Sequence, residues 1–267
     1  MEVLYGLHPV EEAVRSGSRR LDCVMLARER HDRKDERLER LAEACRAAGL
    51  RVSIESRDHL TRMARTDAHQ GVLALVRERA FLGIEDLLSA KNPDGRHRFF
   101  LALDGVEDPH NLGALLRTAD GAGVDGVILP ERRSAPVTAT VAKTSAGASE
   151  HVRIARVTNL VRSLEQMKQA NVWVLGLDER GTPDYTEFDF RTDCVLVLGR
   201  EGAGLHDLVK KTCDHLLRIP MAGAVSSLNV SVAGAVVMYE AMRQRRRPAE
   251  PAPKPATPAK PRKGLGS

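Results

Sequence analysis

From Phe99 onward the sequence repeats one unit: a short, almost purely apolar run, a loop of small or polar residues, then a longer segment with helical apolar spacing. FFLALD, VDGVILP, HVRIARV, VWVLGLD, CVLVLG and LLRIP read as strands. Helices are expected over 111–122, around 137–146, over 160–170, from Leu205, and in the last apolar stretch, where Val230, Ala233, Gly234, Val237 and Ala241 recur at spacings of three and four. Strands that alternate with helices in this way pair mostly in parallel and are covered by helices, so the expected fold class is α/β. Ligands of such sheets bind in the loops that leave the C-terminal ends of the strands.

Residues 1–80 form a separate, smaller α/β unit in this reading. LYGLHPVEEAVRSG suggests a short helix with Pro9 at its start, LDCVMLA is a strand, and the run from His31 to Gly49 is an amphipathic helix with Leu38, Leu41, Ala42 and Cys45 on one face. RVSIES and, after a polar turn, HQGVLALVRE are two further strands. Residues 81–98 serve as a linker with a short helical piece and an Asn-Pro-Asp-Gly turn, 99–244 form the larger domain, and 245–267 form a tail. The tail holds six of the thirteen prolines and no apolar periodicity, a composition that favours disorder.

Charge and cysteine content exclude several classes. The formal net charge is +5, but the tail contributes +6, which leaves residues 1–244 at −1; a uniformly basic body is ruled out and any nucleic-acid surface must be local. Before residue 80, sixteen Lys or Arg face fourteen Asp or Glu, a mixture that suits a solvated helix surface laced with i,i+4 pairs better than an RNA contact. Cys23, Cys45, Cys194 and Cys213 form no C-x-x-C pair, and the histidines, His69, His110 and His206 among them, show no metal-ligand spacing, so reduced thiols and no metal are expected. No apolar run is long enough for a membrane span and MEVLYGLHPVEEAV lacks a signal pattern, so a cytoplasmic protein is expected.

Two glycine clusters invite a nucleotide reading. Gly121, Gly123 and Gly126 spell G-x-G-x-x-G, yet they leave a helix and enter a strand, the reverse of the order that puts a pyrophosphate on a helix N-terminus; they are expected to be a helix stop and a loop. LGREGAGL does follow a strand, but Glu201 inside it would repel a phosphate, so a non-phosphate ligand is expected there. Three loops therefore stand out, at 103–120, 198–204 and 219–231. Asn111 is placed to cap one helix, Ser227 to cap the last, and a buried Arg117, Glu201, Ser227 and Asn229 supply charge and hydrogen bonds. No nucleophile is paired with a base, and the residues alone stop at a small-ligand site.

N-L-G-x-x-x-R-x-A-D from Asn111 to Asp120, then L-G-x-E-G-x-G-L, then I-P-M-x-G-x-V-x-S-L-N-V-S, in that order, resemble the three signature motifs of the SpoU/TrmH family of SPOUT methyltransferases. The resemblance covers nearly the whole chain to about Arg245, and YGLHPVEEAV with HQGV resembles the family's small N-terminal RNA-binding domain, related to ribosomal protein L30e. It implies a trefoil-knotted C-terminal domain, a homodimer, S-adenosyl-L-methionine as cofactor, and transfer of its methyl group to a ribose 2′-hydroxyl of RNA. LDGVEDPHNLGA, RSAP and RVTNL are most similar to members that methylate a guanosine in the peptidyl-transferase P-loop of 23S rRNA; tRNA or another rRNA site is the rival substrate.

Carried over by motif, Gly199, Glu201, Gly202, Ile219, Met221 and Leu228 would hold the cofactor, and Asn111, Arg117, Glu201, Ser227 and Asn229 would be the catalytic set. A carboxylate beside a sulfonium is tolerated where one beside a phosphate is not. Guanidinium stays protonated in proteins, so the expected role of Arg117 is to clamp RNA phosphate and to stabilise developing alkoxide charge. Two readings from other classes compete. A catalytically silent RNA-binding assembly factor would not need Asn111, Arg117, Glu201, Ser227 and Asn229, and a nucleotide-dependent oxidoreductase would need its glycine motif the other way round.

Overall fold

Residues 1–28, 35–90 and 95–246 are described by a computed structural model of the chain. The first unit contains β1 (Glu2–Tyr5), α1 (Leu7–Ser16), β2 (Leu21–Ala27), α2 (Glu36–Ala47), β3 (Val52–Glu55), α3 (Arg57–Ala64) and β4 (Val72–Val76). Its sheet has the order β1-β4-β2-β3, with β4 antiparallel to both β1 and β2 and β3 parallel to β2. Leu4, Val10, Val24, Leu41, Cys45 and Val72 form its core. Two elements escaped the sequence reading. β1 is a four-residue strand hidden by the helical pattern that follows it. The expected polar turn before β4 contains α3, which buries only Leu60 and so carries almost no periodic signal; Ser56 caps it by accepting from the His59 amide at 3.2 Å.

His69 in this unit is fully buried and serves structure. Its Nδ1 accepts from the Gly71 amide at 3.0 Å and its Nε2 lies 3.1 Å from Thr61 Oγ1. An imidazole that must accept at Nδ1 is neutral, and burial pushes its pKa below the ordinary range, with Arg57 reinforcing the shift.

After α4 (Ile84–Ser89), the helical piece expected in the linker, come β5 (Phe99–Leu103), α5 (Pro109–Ala122), β6 (Gly126–Pro130), α6 (Ala139–Thr144), a 3-10 turn at Ala148–Glu150 and β7 (Ile154–Val157). They are followed by α7 (Leu160–Gln169), β8 (Trp173–Leu177), β9 (Cys194–Leu198), α8 (Asp207–Thr212), β10 (His215–Leu217) and α9 (Val230–Arg245). Asn92 to Asp94 of the expected turn lie outside the described residues, as do most of the first residues of the run before α2 and residues 247–267 of the tail. The six strands pair in parallel throughout, in the order β10-β8-β9-β5-β6-β7. β5 and β9 are buried along their whole length, which is why they read as unbroken apolar runs rather than alternating ones.

The G-x-G-x-x-G is the expected stop: Gly123 takes the left-handed conformation (φ 71°) just past α5, and Gly126 begins β6. α9 packs along α5, where a Cβ on Gly234 would lie 2.6 Å from Leu115 and 2.7 Å from Leu198. Arg245, the first residue assigned to the tail by composition, is the last residue of α9. Its guanidinium donates to the carbonyls of Phe190 (2.8 Å), His97 (2.7 Å), Arg98 (3.1 Å) and Thr192 (2.6 Å), and it stacks 4.8 Å from the Phe99 ring. Cys23, Cys45 and Cys194 are buried free thiols and Cys213 is half-buried; burial pushes Cys194 up to about 12.

Candidate active site

The chain order β5-β6-β7 runs out to one edge of the sheet, and β8, β9 and β10 lie on the other side of β5. The loops that leave β8, β9 and β10 therefore gather at one place, where the strand order changes direction. They enclose a cleft of about 510 Å³, within the roughly 300–1,000 Å³ common for small-molecule sites. Its walls include Gly199, Glu201, Gly202, Ile219, Met221, Ser227 and Leu228, so all six residues expected to hold a cofactor, and Ser227 besides, converge on it.

The loop after β9 is built tightly. Arg200 and Gly204 exchange both backbone hydrogen bonds at 3.0 Å, and Gly202 (φ 72°) and Gly204 (φ 66°) turn the chain between them through left-handed conformations. At Gly199 a Cβ would stand 2.3 Å from the Gly204 carbonyl carbon and 2.4 Å from the Leu205 nitrogen, so two backbone segments touch there and only hydrogen fits. The same loop is pinned from below by Asp104, a buried carboxylate at the end of β5. One of its oxygens accepts from the His206 amide at 2.7 Å and the other lies 2.8 Å from His206 Nδ1.

Glu201 joins the other two loops. Its Oε2 accepts from Asn111 Nδ2 and its Oε1 from Asn229 Nδ2, each at 3.2 Å. Asn111 is buried in the first turn of α5, and Asn229 heads α9. Three residues from three distant segments are thus held by one carboxylate at the mouth of the cleft, with two donors on two acceptors.

Three expectations about these loops are corrected. Asp108 caps α5, accepting from the amides of His110 (3.0 Å) and Asn111 (3.3 Å), which frees the Asn111 side chain for Glu201. Asn229 caps α9, its Oδ1 accepting from the Ser231 amide at 2.9 Å and from Ser231 Oγ at 2.6 Å, while Ser227 lies two residues before the cap, exposed on the cleft wall. Arg117 is exposed, because it falls on the side of α5 away from the buried positions Leu115, Leu116 and Ala119; it lines no part of the cleft and makes no hydrogen bond or ion pair among the described residues.

No residue of the expected 103–120 loop lines the cleft; the wall that sequence reasoning missed is Leu177 at the end of β8, Asp178, Glu179 and Arg180 after it, and Lys210 from α8. Lys210 Nζ lies 2.7 Å from Asp178 Oδ2, and Asp178 Oδ1 accepts from the Arg180 amide at 2.9 Å. Burial pushes the Asp178 carboxyl up, but these hydrogen bonds outweigh it and hold it below the usual carboxylate range. The signal was available: VWVLGLD is a strand, and its C-terminal loop belongs to the same end of the sheet. No group of three or more His, Cys, Asp or Glu among the described residues is placed to hold a metal ion, and no helix among them is long and apolar enough to cross a membrane.

A parallel α/β sheet whose glycine-rich and apolar loops form a cleft with one carboxylate at its wall is the frame of a small-molecule-binding domain, here joined to a second α/β unit. The profile of the SpoU rRNA methylase family matches residues 98–239, and that of the RNA 2′-O ribose methyltransferase substrate-binding domain matches residues 3–82. The chain belongs to the SpoU rRNA methylase family, and it is an S-adenosylmethionine-dependent RNA methyltransferase.

Relatives span its length. A 23S rRNA (guanosine-2′-O-)-methyltransferase RlmB from Pseudomonas aeruginosa is 44% identical, covering 91% of this chain and 97% of its own, and one from Ralstonia nicotianae is 42% identical over 91% and 96%. A Bacillus subtilis protein assigned to the TrmH family of tRNA/rRNA methyltransferases is 44% identical over 78% and 83%. Among solved structures, the SpoU methyltransferase AviRb from Streptomyces viridochromogenes in complex with AdoMet superposes with a TM-score of 0.75 at 25% identity, covering 91% of this chain and 90% of that one.

The cleft fits such a cofactor on its own terms. Gly199 and Gly202 bring backbone without side chains to the cleft wall, Ile219, Met221 and Leu228 present apolar surface there, and Glu201 supplies the negative charge that a sulfonium favours.

Proposed function

We propose that this protein methylates the ribose 2′-hydroxyl of a guanosine in the peptidyl-transferase P-loop of 23S rRNA. The observation that carries the reading is the Glu201 carboxylate held between Asn111 and Asn229 at the mouth of a glycine-lined cleft. S-adenosylmethionine, when bound, supplies an electrophilic methyl group on a cationic sulfur. Gly199, Gly202, Ile219, Met221 and Leu228 hold the cofactor, largely through backbone and apolar contact, and Glu201 offsets its charge. Asn111, Glu201, Ser227 and Asn229 orient the ribose, with the Asn111 and Asn229 amides fixed by Glu201 so that they lose little freedom when RNA arrives.

Arg117 lies outside this cluster, and an exposed guanidinium without a partner among the described residues suits an RNA phosphate, or the site of a second copy. A homodimer accounts for both the position of Arg117 and the apolar side chains left exposed on α9 and its loop: Val225 at 68%, Val232 at 49% and Tyr239 at 49%. The domain limits proposed are 1–80 for RNA binding, 81–98 for the linker and, with the bound expected at 244 moved to include Arg245, 99–245 for methyl transfer. The trefoil knot belongs to this reading as well: it would thread the chain after β9 through the loops around β8, where a Cβ on Gly181 would come within 2.4 Å of the Leu216 carbonyl. A ribosomal substrate implies a cytoplasmic location.

The choice of RNA falls to the N-terminal unit, where α3 exposes Arg57 and Arg62 and is followed by an exposed Arg65. Mapping 2′-O-methylated nucleotides in 23S rRNA and tRNA from a strain lacking the gene tests the proposal: loss of one P-loop guanosine methylation supports it, and loss confined to tRNA refutes the assignment of substrate.

A further inference from the structure

Where the two units meet, three charged side chains are almost fully buried. Glu150, in the 3-10 turn before β7, has a side chain only 1% exposed. Its Oε1 lies 2.8 Å from Arg79 Nη2 and 3.7 Å from Arg19 Nη1, and those arginine side chains are 10% and 7% exposed. Arg19 belongs to the N-terminal unit and also holds Glu2 and, through Nε and Nη2, the carbonyl of Arg77 at 3.0 and 2.7 Å. Arg79 sits where the chain leaves that unit. Burial lowers its pKa and Glu150 acts against that shift. Arg79 Nε and Nη2 and Glu150 Oε2 find no hydrogen bond among the described residues, so the 2.8 Å contact is an ion pair without hydrogen-bond geometry.

Around this core the contacts are close. A Cβ on Gly147 (φ 86°) would stand 2.7 Å from Glu12 Cβ, His151 Nε2 lies 2.7 Å from Glu12 Oε2, Lys143 Nζ donates to the Ala68 carbonyl at 2.6 Å, and Ala142 is buried in the core of the N-terminal unit. Lys143 and Ala142 belong to α6, which is itself packed on the start of α5: a Cβ on Gly113 would be 1.9 Å from Thr144 Oγ1, which lies 3.3 Å from the Pro109 carbonyl oxygen. Pro109 opens the helix that carries Asn111. One continuous set of contacts runs from the N-terminal unit through α6 to the Glu201 cluster.

We propose that Glu150 is a positioning residue: by neutralising Arg19 and Arg79 it locks the N-terminal unit onto α6, so that RNA held by that unit meets the Asn111–Glu201–Asn229 cluster at a fixed distance. An ion pair with unmet hydrogen-bonding groups contributes little net stability, but removing Glu150 leaves Arg79 buried without its acid beside Arg19, which keeps only Glu2. The arrangement sets geometry more than it adds stability. Domains joined by small polar interfaces otherwise move relative to each other.

The inference about geometry stands apart from the choice of RNA; its kinetic consequence rests on the methyltransferase reading. The test uses full-length protein carrying Cys213→Ala, with spin labels on Glu43→Cys and Glu165→Cys, two exposed positions in the two units, diluted with unlabelled chain so that pairs between copies do not contribute. Glu150→Gln is expected to broaden the distance distribution. It should raise the KM for rRNA about tenfold or more while kcat and S-adenosylmethionine affinity stay within about twofold.

Arg79→Met with Glu150→Leu replaces the pair by apolar volume and is expected to bring back both the narrow distribution and the KM, which a residue acting only by its charge on RNA would not do. If Glu150→Gln does not fold, the double variant carries the test: a broad distribution in it overturns the proposal. So does a wild-type distribution in Glu150→Gln, and so does a broad one with an unchanged KM. A protein that methylates no RNA would sink the methyltransferase reading and leave the distance measurement intact.

Discussion

Gly199→Ala tests whether the shape of the loop after β9, rather than any side chain on it, sets cofactor affinity. The added methyl would lie 2.3 Å from the Gly204 carbonyl carbon, 2.4 Å from the Leu205 nitrogen and 2.5 Å from the Gly204 oxygen, where ordinary contact begins near 3.4 Å. All three neighbours are backbone, so no rotamer change relieves the clash and the segment must retreat by about 1 Å. That segment is held by the paired Arg200–Gly204 hydrogen bonds and by Asp104 on the His206 amide, so the retreat strains or breaks at least one of them. Overpacking of this kind costs about 1–3 kcal/mol.

If the strain falls on the bound conformation of the loop, S-adenosylmethionine affinity drops by about 10- to 100-fold, at ~1.4 kcal/mol per decade. Calorimetric titration with the cofactor reads this directly, and thermal denaturation without it reads the part absorbed by the fold. Gly223→Ala is the matched control: a Cβ there meets nothing within 4 Å, so affinity and stability should match the wild type. A Gly199→Ala protein that binds cofactor as the wild type does would refute the argument, because it would mean that the loop contacts described above do not constrain the site.

Arg117→Lys keeps a positive charge but loses the planar fork; methyl transfer should fall about 100-fold with S-adenosylmethionine affinity within about twofold, and a collapse of that affinity would overturn the role given to Arg117. His69 is held neutral with its pKa lowered, so the unfolded chain takes up the proton first. Stability is therefore complete above the ordinary imidazole range and declines as pH falls through it. Melting temperatures followed from about pH 7.5 to about pH 5 should show a steeper decline for the wild type than for His69→Gln. Arg245→Met strands the carbonyls of His97, Arg98, Phe190 and Thr192, and urea unfolding should reveal a loss of roughly 3–5 kcal/mol, with Arg245→Lys intermediate.

The parallel sheet was readable because β5 and β9 are buried on both faces and their composition admits nothing else, and the cleft was readable because its walls follow strand ends. Gly199, Glu201, Gly202, Ile219, Met221 and Leu228 came from motif resemblance, and the structure brings them together. What pattern could not supply was competition between neighbours for the same hydrogen bond. Asn111 and Ser227 are both acceptable caps by residue type, yet Asp108 and Asn229 take those roles, because the helices begin at Pro109 and Val230. The exposure of Arg117 is likewise a matter of helix phase, set by which side of α5 meets the sheet and α9. α3 was invisible because a helix that buries one residue leaves no period to detect.

The Glu201 bridge also bears on when the protein can begin to work. Asn111 lies 90 residues before Glu201 and Asn229 lies 28 after it, and Asn229 is the first residue fixed by α9. During synthesis the sheet can pair and the N-terminal unit can form while the cleft still lacks its last wall. A nascent chain that has not yet released Asn229 and α9 therefore has its strands but lacks both the Glu201–Asn229 bridge and the α9 side of its core. On the proposed reading, docking of the final helix completes the core and the site in one step.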